Sequence, residues 1–217
     1  MKNTLEIDGV NLEFNKKKIL QNIYLKCETN AITGLLGRNG SGKSTLFKLL
    51  MGELSAETQS IRINGKRLHN QKRKKGEISM LPQENFIPRH LKIKRIFDDF
   101  DLNFDEFKAH FSDTKIHLHE KIGNLSGGER RLIELFLIIK SNSKFIILDE
   151  PFSQIMPKNQ EIIFDLLTKE KQRKGILITD HLPEMISRLS DDLYILSNGQ
   201  TRKINNYEEL RFGGYIY

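Results

Sequence analysis

The sequence has little cysteine: Cys27 is the one cysteine among 217 residues. A disulfide within the chain is therefore excluded, and so is a metal site built on several cysteines. A single cysteine fits a reducing compartment such as the cytosol. We accordingly expect a cytoplasmic protein whose stability comes from a hydrophobic core.

Long apolar runs are also missing. The longest, at 135–139 and 145–148, are far shorter than the about 20 residues that a membrane-spanning helix requires. The first ten residues lack the apolar stretch of a secretory signal. If the protein serves a membrane, we expect it to do so by binding a separate membrane protein.

Positive charge is in excess, with a formal net charge of +7. Much of this excess lies in two lysine-rich runs, 16–18 and 72–75. Such runs can bind nucleic acid or anionic lipid, or they can be solvated loops. Neither run has interleaved aromatic residues, which single-stranded nucleic acid binding uses. This favours solvated loops, and no nucleic-acid partner is expected.

Apolar periodicity predicts an α/β fold. Alternating or continuous apolar runs predict strands, and spacings of three and four predict helices. The predicted strands and hairpins lie at 4–14, 19–27, 31–36, 60–68, 144–149, 175–179 and 191–204. The predicted helices lie within 85–124, after Ser126, at 157–175 (ending on Gly175) and at 182–190. Continuous apolar strands that alternate with helices predict a largely parallel sheet covered on both faces.

The segment GRNGSGKS at 37–44 matches the phosphate-loop pattern G-x-x-x-x-G-K-[ST]. Its glycines let backbone N–H groups turn inward around a phosphate, and Lys43 supplies a charge for the β and γ phosphates. Ser44 offers a hydroxyl to Mg²⁺, and the helix beginning near Lys43 directs its positive end at the anion. The alternative is an ordinary glycine turn before a helix. The position between a predicted strand and a predicted helix favours a nucleotide site.

Two adjacent carboxylates, Asp149 and Glu150, follow the apolar strand at 145–148. Ligands bind at the C-terminal ends of parallel strands, where Asp149 would lie. One carboxylate can hold Mg²⁺, directly or through water, and the second can polarise an attacking water. The two acids could instead cap a helix. The phosphate loop in the same chain favours the catalytic interpretation.

The segment LSGGE at 125–129 predicts a second anion site. Ser126 would cap a helix whose positive end carries the N–H groups of two glycines. A capping box between Ser126 and Glu129 is the simpler interpretation. It leaves the glycines unexplained, since each costs about 1 kcal/mol in a helix relative to alanine. Two chains arranged head to tail would use both sites, each nucleotide lying between one chain's 37–45 and the other's 126–129.

The order of these motifs resembles the ATP-binding subunits of ABC transporters. The motifs are the phosphate loop at 37–45, Gln83 in LPQE, LSGGE at 125–129, FIILDEP at 145–151 and TDH at 179–181. The resemblance covers nearly the whole chain. LSGGE downstream of a phosphate loop is highly specific for this family.

The resemblance implies a role for each matching residue. The residues implied to bind nucleotide are Phe14 (stacking on adenine), Gly37, Asn39, Gly40, Ser41, Gly42, Lys43, Ser44 and Thr45, with Ser126, Gly127 and Gly128 serving the partner chain's γ-phosphate. Those implied to support Mg²⁺ are Ser44, Gln83 and Asp149. Glu150 would act on the attacking water, His181 would contact the γ-phosphate, and Gln83 would report the state of the metal region. The implied cofactors are ATP and Mg²⁺.

The resemblance also implies the architecture and the partners. It predicts one ATP-binding domain over 1–217 with a phosphate-loop NTPase core, an N-terminal antiparallel β subdomain and an inserted helical subdomain. The core would comprise 1–84 and 126–217, and the helical subdomain 85–125. The expected protein is a Mg²⁺-dependent ATPase that forms a homodimer, or a heterodimer with a similar ATPase, when ATP binds. It would sit on the inner face of the cell membrane, held by integral transporter subunits.

Two other functions stay open at this point. One is a soluble ATPase of the same type that acts on nucleic acid or ribosomes, although such proteins usually carry two fused cassettes or a long coiled-coil insertion. The other is a nucleotide-gated module that does not hydrolyse ATP. The presence of Gln83, Glu150 and His181 argues against the second.

One segment departs from the family pattern. After the two carboxylates the family often has S-A-L-D, whereas this chain has Ser153, Gln154, Ile155 and Met156. The aspartate that Met156 replaces belongs to a loop that crosses the dimer interface. We therefore expect hydrolysis to be retained and cooperativity between the two sites to be reduced.

Two further features have structural and functional interpretations. His117 and His119 could begin a metal site, but no further ligands surround them at useful spacing.

Five phenylalanines recur at helical spacing: Phe97, Phe100, Phe104, Phe107 and Phe111. They could form a surface for a membrane partner or the core of the helical segment. We favour the core for most of them.

Overall fold

The computed structural model describes residues 2–68, 76–204 and 209. The strands of this part of the chain are β1 (Thr4–Phe14), β2 (Lys17–Glu28), β3 (Ala31–Leu36), β4 (Thr58–Ile63), β5 (Lys66–Arg67), β6 (Ile78–Leu81), β7 (Phe145–Asp149), β8 (Gly175–Thr179), β9 (Asp192–Ser197) and β10 (Gln200–Ile204). Its α-helices are α1 (Lys43–Met51), α2 (Ile93–Phe100), α3 (Phe104–His110), α4 (Gly127–Lys140), α5 (Pro157–Glu170) and α6 (Pro183–Leu189). The lysine-rich run at 72–75 lies outside the described residues.

The smaller sheet is antiparallel and has the strand order β2-β1-β4-β5. Its β1–β2 hairpin turns at Asn15 and Lys16, which both have positive φ. Its β4–β5 hairpin turns at Asn64 and Gly65, as the Asn-Gly pair predicts. The lysines at 16–18 are exposed, as expected for solvated side chains, with Lys16 in the first of these turns and the other two at the start of β2.

The larger sheet has the order β10-β9-β3-β8-β7-β6 and is parallel except for β10. Every residue of β3, β7 and β8 is buried, because both faces of the sheet are covered. Alternate residues of each strand face opposite sides. The predicted parallel sheet is therefore confirmed.

Two hydrophobic cores lie on the two faces of this sheet. Ile146 and Leu148 of β7 belong to a core shared with α4, α5 and α6, whereas Phe145 and Ile147 belong to a core shared with α1 and the antiparallel sheet. Cys27 is buried in the second core, and burial raises the pKa of its thiol to about 12.

The segment that precedes α4 packs onto it through aromatic rings. Phe97 and Phe107 are fully buried and lie edge to face, with ring centroids 5.9 Å apart. Phe107 also lies 5.4 Å from Phe136 of α4. Phe111 is buried too, while Phe100 and Phe104 are partly buried against the same core. The interpretation of these rings as core is confirmed, and the division of the chain at 85 and 125 stays a prediction.

A chain of charges also joins the helices. Lys140 of α4 forms ion pairs with Glu106 of α3 and Glu170 of α5. Lys174 is 1% exposed and donates hydrogen bonds to the carbonyl oxygens of Ile139 and Ser141, both at 2.7 Å. Burial lowers the pKa of Lys174 to about 8.

The predicted end of the helix at Gly175 was wrong. The helix α5 ends at Glu170, and Gly175 is the first residue of β8. A Cβ at Gly175 would lie 2.5 Å from Cδ1 of Phe145 and 2.9 Å from the carbonyl oxygen of Glu28. This glycine is therefore required by close packing between strands and does not cap a helix.

The described residues contain neither a candidate membrane-spanning helix nor a cluster of candidate metal ligands. No helix in that part of the chain is long and apolar enough to cross a membrane. No group of three or more histidine, cysteine, aspartate or glutamate side chains in the same part could hold a metal ion, so His117 and His119 gain no further ligands there.

Candidate functional site

The predicted site residues follow the C-terminal ends of four parallel strands. The phosphate loop follows β3, Gln83 follows β6, Asp149 ends β7 and Glu150 follows it, and His181 follows β8. Parallel strands place these ends at one edge of the sheet, where α/β proteins bind ligands. The topology thus places residues that are up to 144 positions apart in the sequence at one edge, as the β3–β8 pairing and the hydrogen bond from Thr179 to Leu35 show.

The phosphate loop has the backbone that a glycine-rich cradle requires. Gly40 and Gly42 have φ values of 78° and 108°, in the region that favours glycine. A Cβ at Gly37 would lie 2.6 Å from the carbonyl oxygen of Leu196. The helix α1 begins at Lys43 with Gly42 as its N-cap, so its free N–H groups face the loop.

Lys43 lies inside this loop. It is 8% exposed, and its Nζ donates to the carbonyl oxygens of Gly37 at 2.7 Å and Arg38 at 3.3 Å. Burial lowers the pKa of Lys43, and the charges of Glu150 and Asp149 oppose this shift. The ammonium group is thus held where the loop would enclose a phosphate.

Asp149 is a buried carboxylate with spare coordinating capacity. It is 2% exposed, and its Oδ1 has no hydrogen-bond partner. Burial raises the pKa of Asp149, while a hydrogen bond from Ser44 lowers it in part. A buried, unpartnered carboxylate oxygen is costly unless a ligand satisfies it.

The residues present fit a magnesium ion. Ser44, Gln83 and Asp149 contribute hydroxyl, amide and carboxylate oxygens, which Mg²⁺ prefers. The unpartnered Oδ1 of Asp149 supplies the observation behind this fit.

Glu150 and Gln83 contact each other directly. Nε2 of Gln83 donates to Oε2 of Glu150 at 3.0 Å, although the two residues are 67 positions apart. Glu150 has a φ of 49°, which is uncommon for a residue other than glycine. Unusual backbone of this kind concentrates at functional sites because the surrounding structure must hold it.

His181 is an exposed side chain that follows β8. Its Nδ1 lies 3.2 Å from Oδ1 of Asp180, and 55% of its side chain is exposed. Asp180 is buried and accepts a hydrogen bond from the backbone N–H of Phe152 at 3.1 Å. Burial raises the pKa of Asp180. Asp180 thus orients the imidazole and ties it to the segment that follows Glu150.

Phe14 lies at the end of β1, opposite Lys17, and is 48% exposed. Lys17 and Lys18 line a cavity of about 480 Å³ together with residues 38–41 of the phosphate loop. The hairpin that carries Phe14 is therefore a neighbour of the phosphate loop. The stacking of Phe14 on adenine stays a prediction.

The second predicted anion site is a capped helix N-terminus. Ser126 and Glu129 form the predicted capping box, with the hydroxyl of Ser126 donating to Oε2 of Glu129 at 2.7 Å. Ser126 and Gly128 border a cavity of about 350 Å³ whose other walls come from 110–115 and 154–162. No residue of 37–45 lines that cavity, and the role of Ser126, Gly127 and Gly128 toward a second chain's nucleotide stays a prediction.

Two residues of this region were not predicted from the sequence. Gln154 packs against Gly127 and Gly128, and Arg131 donates hydrogen bonds to carbonyl oxygens on both sides of the Gln83–Glu150 pair. Their partners are largely main-chain atoms, and these leave no pattern in a sequence. The repeated arginine in GERR was the one available signal for Arg131.

Comparison with known proteins identifies a family for this chain. The model of the family described as ABC transporter matches residues 20–153, more than half of the chain. The galactose/methyl galactoside import ATP-binding proteins MglA of Shigella boydii serotype 4 and of Escherichia coli K12 are each 33% identical over 90% of this chain. The chain spans 42% of the length of these relatives.

Two solved structures resemble the fold. An ATP-binding subunit of an ABC transporter has a TM-score of 0.80 and 20% identity, with 97% of this chain and 93% of that chain covered. A bacterial Atm1-family ABC exporter with ATP bound has a TM-score of 0.85 and 18% identity, with 98% and 40% covered. The predicted fold class is confirmed by these likenesses.

Proposed function

Because the chain belongs to the ABC transporter family, we propose that it binds and hydrolyses ATP and thereby powers a transporter through separate membrane subunits. One observation carries this proposal: Glu150 is hydrogen-bonded to Gln83 at the same sheet edge as Lys43 and the buried Asp149. Structural or regulatory nucleotide binding would not require this carboxylate–amide pair.

The chain's own residues would divide the work as follows. Residues 37–45 would hold the phosphates, with Lys43 leaving its carbonyl partners to contact the β and γ phosphates. Ser44, Gln83 and Asp149 would hold Mg²⁺, which when bound neutralises charge on the phosphates. Phe14 would stack on the adenine.

Glu150 would orient and polarise the attacking water. Its carboxylate accepts a hydrogen bond from Gln83, and through this bond the amide would respond to whether the phosphate region is filled. His181, oriented by Asp180, would contact the γ-phosphate from the neighbouring strand end. In phosphoryl transfer the protein contributes mainly positioning and charge, and these residues would supply both.

A second copy, or a similar ATPase, would complete each site. Ser126, Gly127 and Gly128 would approach the γ-phosphate held by the other chain, which explains a helix N-terminus without a ligand from its own chain. Two equivalent sites per dimer follow from the symmetry. ATP would close the dimer and hydrolysis would reopen it.

The link to transport rests on the family and on the relatives. The curated relatives are named as import proteins and one structural neighbour as an exporter, so cargo and direction do not follow from the family. We propose that integral membrane subunits contact the helical segment 85–125 and hold the protein at the inner face of the membrane.

The first experiment measures ATP turnover by the purified chain with Mg²⁺. We expect turnover in the wild type and a loss of at least about 100-fold in Glu150→Gln, because the carboxylate that polarises water is removed. Glu184→Gln, an exposed acid on α6, is the matched control.

The same variant tests the dimer. Glu150→Gln with ATP is expected to sediment as a dimer, since closure is no longer followed by hydrolysis. Absence of turnover in the wild type would contradict the enzymatic part of the proposal. A variant that stays monomeric with ATP at high protein concentration would contradict the shared sites. Fractionation of native membranes, with identification of an integral subunit that co-purifies, tests the link to transport.

A further inference from the structure

A buried arginine connects three parts of the proposed catalytic site. Arg131 lies in the second turn of α4 and is 3% exposed. Its Nη2 donates to the carbonyl oxygens of Asp149 at 2.8 Å and Glu150 at 3.0 Å, and its Nη1 donates to that of Pro82 at 2.6 Å. One guanidinium thus holds the main chain at the carboxylate pair and at the residue before Gln83.

These bonds add to main-chain hydrogen bonds that hold the same backbone, including one from the N–H of Ser153 to the carbonyl oxygen of Glu150 at 3.3 Å. Glu150 has a left-handed φ of 49°, and such a conformation persists only where its surroundings hold it. The N–H of Glu150 donates to the carbonyl oxygen of Thr179 at 2.9 Å, and Arg131 binds its carbonyl oxygen. The backbone N–H and carbonyl oxygen of Glu150 are therefore both hydrogen-bonded, and this sets the direction of its side chain.

The same helix holds the far end of the segment that carries Gln83. The guanidinium of Arg130 donates to the carbonyl oxygen of Ile87, and Oε1 of the buried Glu134 accepts from the N–H of Ile87 at 3.1 Å. Segment 82–87 is thus fastened to α4 at both ends. Arg131 also lines a cavity of about 420 Å³ together with Gln83 and Gln154.

A planar guanidinium suits this task better than an ammonium group. Its N–H groups point in fixed directions, so three carbonyl oxygens on two chain segments are held in one geometry. Burial lowers the pKa of Arg131, and the nearby charges of Glu134 and Asp149 oppose this shift. The desolvation of this side chain is a cost that a purely structural site could avoid with an apolar residue.

We propose that Arg131 is a positioning residue for ATP hydrolysis. It couples the positions of Glu150 and Gln83 to the position of α4. The N-terminus of α4 is the site formed by Ser126–Gly128. When a second chain's nucleotide displaces that N-terminus, Arg131 moves the carboxylate–amide pair with it. This inference rests on the proposed function, and it adds a route by which one site of a dimer senses the other.

The test compares ATP turnover and ATP affinity in Arg131→Met, Arg131→Lys and Lys174→Met. Lys174→Met is the matched control, because Lys174 is also a buried cation that donates to main-chain carbonyl oxygens of α4 and its end. It lies before β8, at the opposite end of that strand from Thr179 and His181.

Arg131→Met is expected to lower kcat about 10- to 100-fold, the effect of a small misplacement, with KM and the Kd for ATP changed less than about threefold. Arg131→Lys is expected to have a kcat between those of Arg131→Met and the wild type, since it keeps the charge but lacks the planar guanidinium. Lys174→Met is expected to lower Tm while kcat stays near the wild-type value. If Arg131→Met does not fold, the test uses Arg131→Lys alone, with its kcat, KM and Kd for ATP compared with those of the wild type and Lys174→Met.

Three results would overturn the inference: kcat unchanged in the folded Arg131 variants, kcat and Kd altered together, or kcat lowered in Lys174→Met in proportion to Tm. An inactive wild type would instead contradict the proposed function. The two failures are therefore distinguishable within one set of assays.

Discussion

At the residue scale, the two glycines that open α4 face a neighbour in their own chain. A Cβ at Gly128 would lie 2.7 Å from the carbonyl oxygen of Gln154, and one at Gly127 would lie 2.5 Å from Oε1 of the same residue. Gln154 has a φ of 62°, so its carbonyl is fixed by an unusual backbone. Close packing against Gln154 is thus one reason for the two glycines, in addition to any role in binding an anion.

We predict that Gly127→Ala and Gly128→Ala differ in stability. In Gly127→Ala the flexible end of the Gln154 side chain can rotate away, and alanine favours the helix, so the free energy of unfolding should change by less than about 1 kcal/mol. In Gly128→Ala the backbone of Gln154 must shift, which should cost about 1–3 kcal/mol. Denaturant unfolding of both variants measures the difference, and equal values would contradict this account.

Single residues also show how far the site could be predicted from the sequence. Lys43, Asp149 and Glu150 could be predicted because each follows a strand in a motif whose chemistry requires that residue type. Arg131 could not, because its partners are carbonyl oxygens, which every residue has. The contact between Gln83 and Glu150 could be expected only through the family resemblance.

At the scale of elements, most strands and helices could be predicted because the strands at the centre of the parallel sheet are continuously apolar and the helices are amphipathic. The end of α5 could not, since the same glycine can stop a helix or admit a neighbouring strand. Gly175 is required because Phe145 packs closely against it. That contact joins positions 30 residues apart, so a local sequence pattern does not reveal it.

Lys174, between α5 and β8, predicts a pH effect on stability. Its pKa is about 8 in the folded chain against an ordinary value of 10.5, so above pH 8 the unfolded chain binds more protons at this group. The contribution of Lys174 to the free energy of unfolding therefore rises from about pH 8 to 10.5 and is constant below. We expect a rise on the order of 2 kcal/mol that is missing in Lys174→Met.

Urea unfolding of both proteins at several pH values between 7 and 10.5 measures this contribution. The difference between the two profiles removes effects that they share, such as ionisation of Cys27. Parallel profiles across this window would show that the ammonium group is not destabilised by burial.

At the scale of the whole molecule, the proposed function requires two chains, and the family resemblance predicts that the loop containing Met156 would cross their interface. Met156 is 62% exposed, an unusual state for a large apolar side chain, and it borders the same cavity as Ser126 and Gly128. The family often has an aspartate here, a charge that could contact the partner across the interface.

We predict that Met156→Asp raises the Hill coefficient for ATP while turnover at saturating ATP stays near the wild-type value. The added carboxylate restores a charged contact between the sites without touching Glu150 or the magnesium residues. Turnover measured over a range of ATP concentrations gives both quantities, with Met156→Asn as an uncharged control. No change in either quantity would show that Met156 does not limit coupling.

Cys27, buried in the core beside the antiparallel sheet with a thiol pKa of about 12, makes the folded chain inert toward maleimides. A cysteine introduced at an exposed position such as Lys66 would therefore be the single reactive thiol, without removal of the native one. Fluorophores attached there would report by energy transfer whether two copies approach when ATP is added.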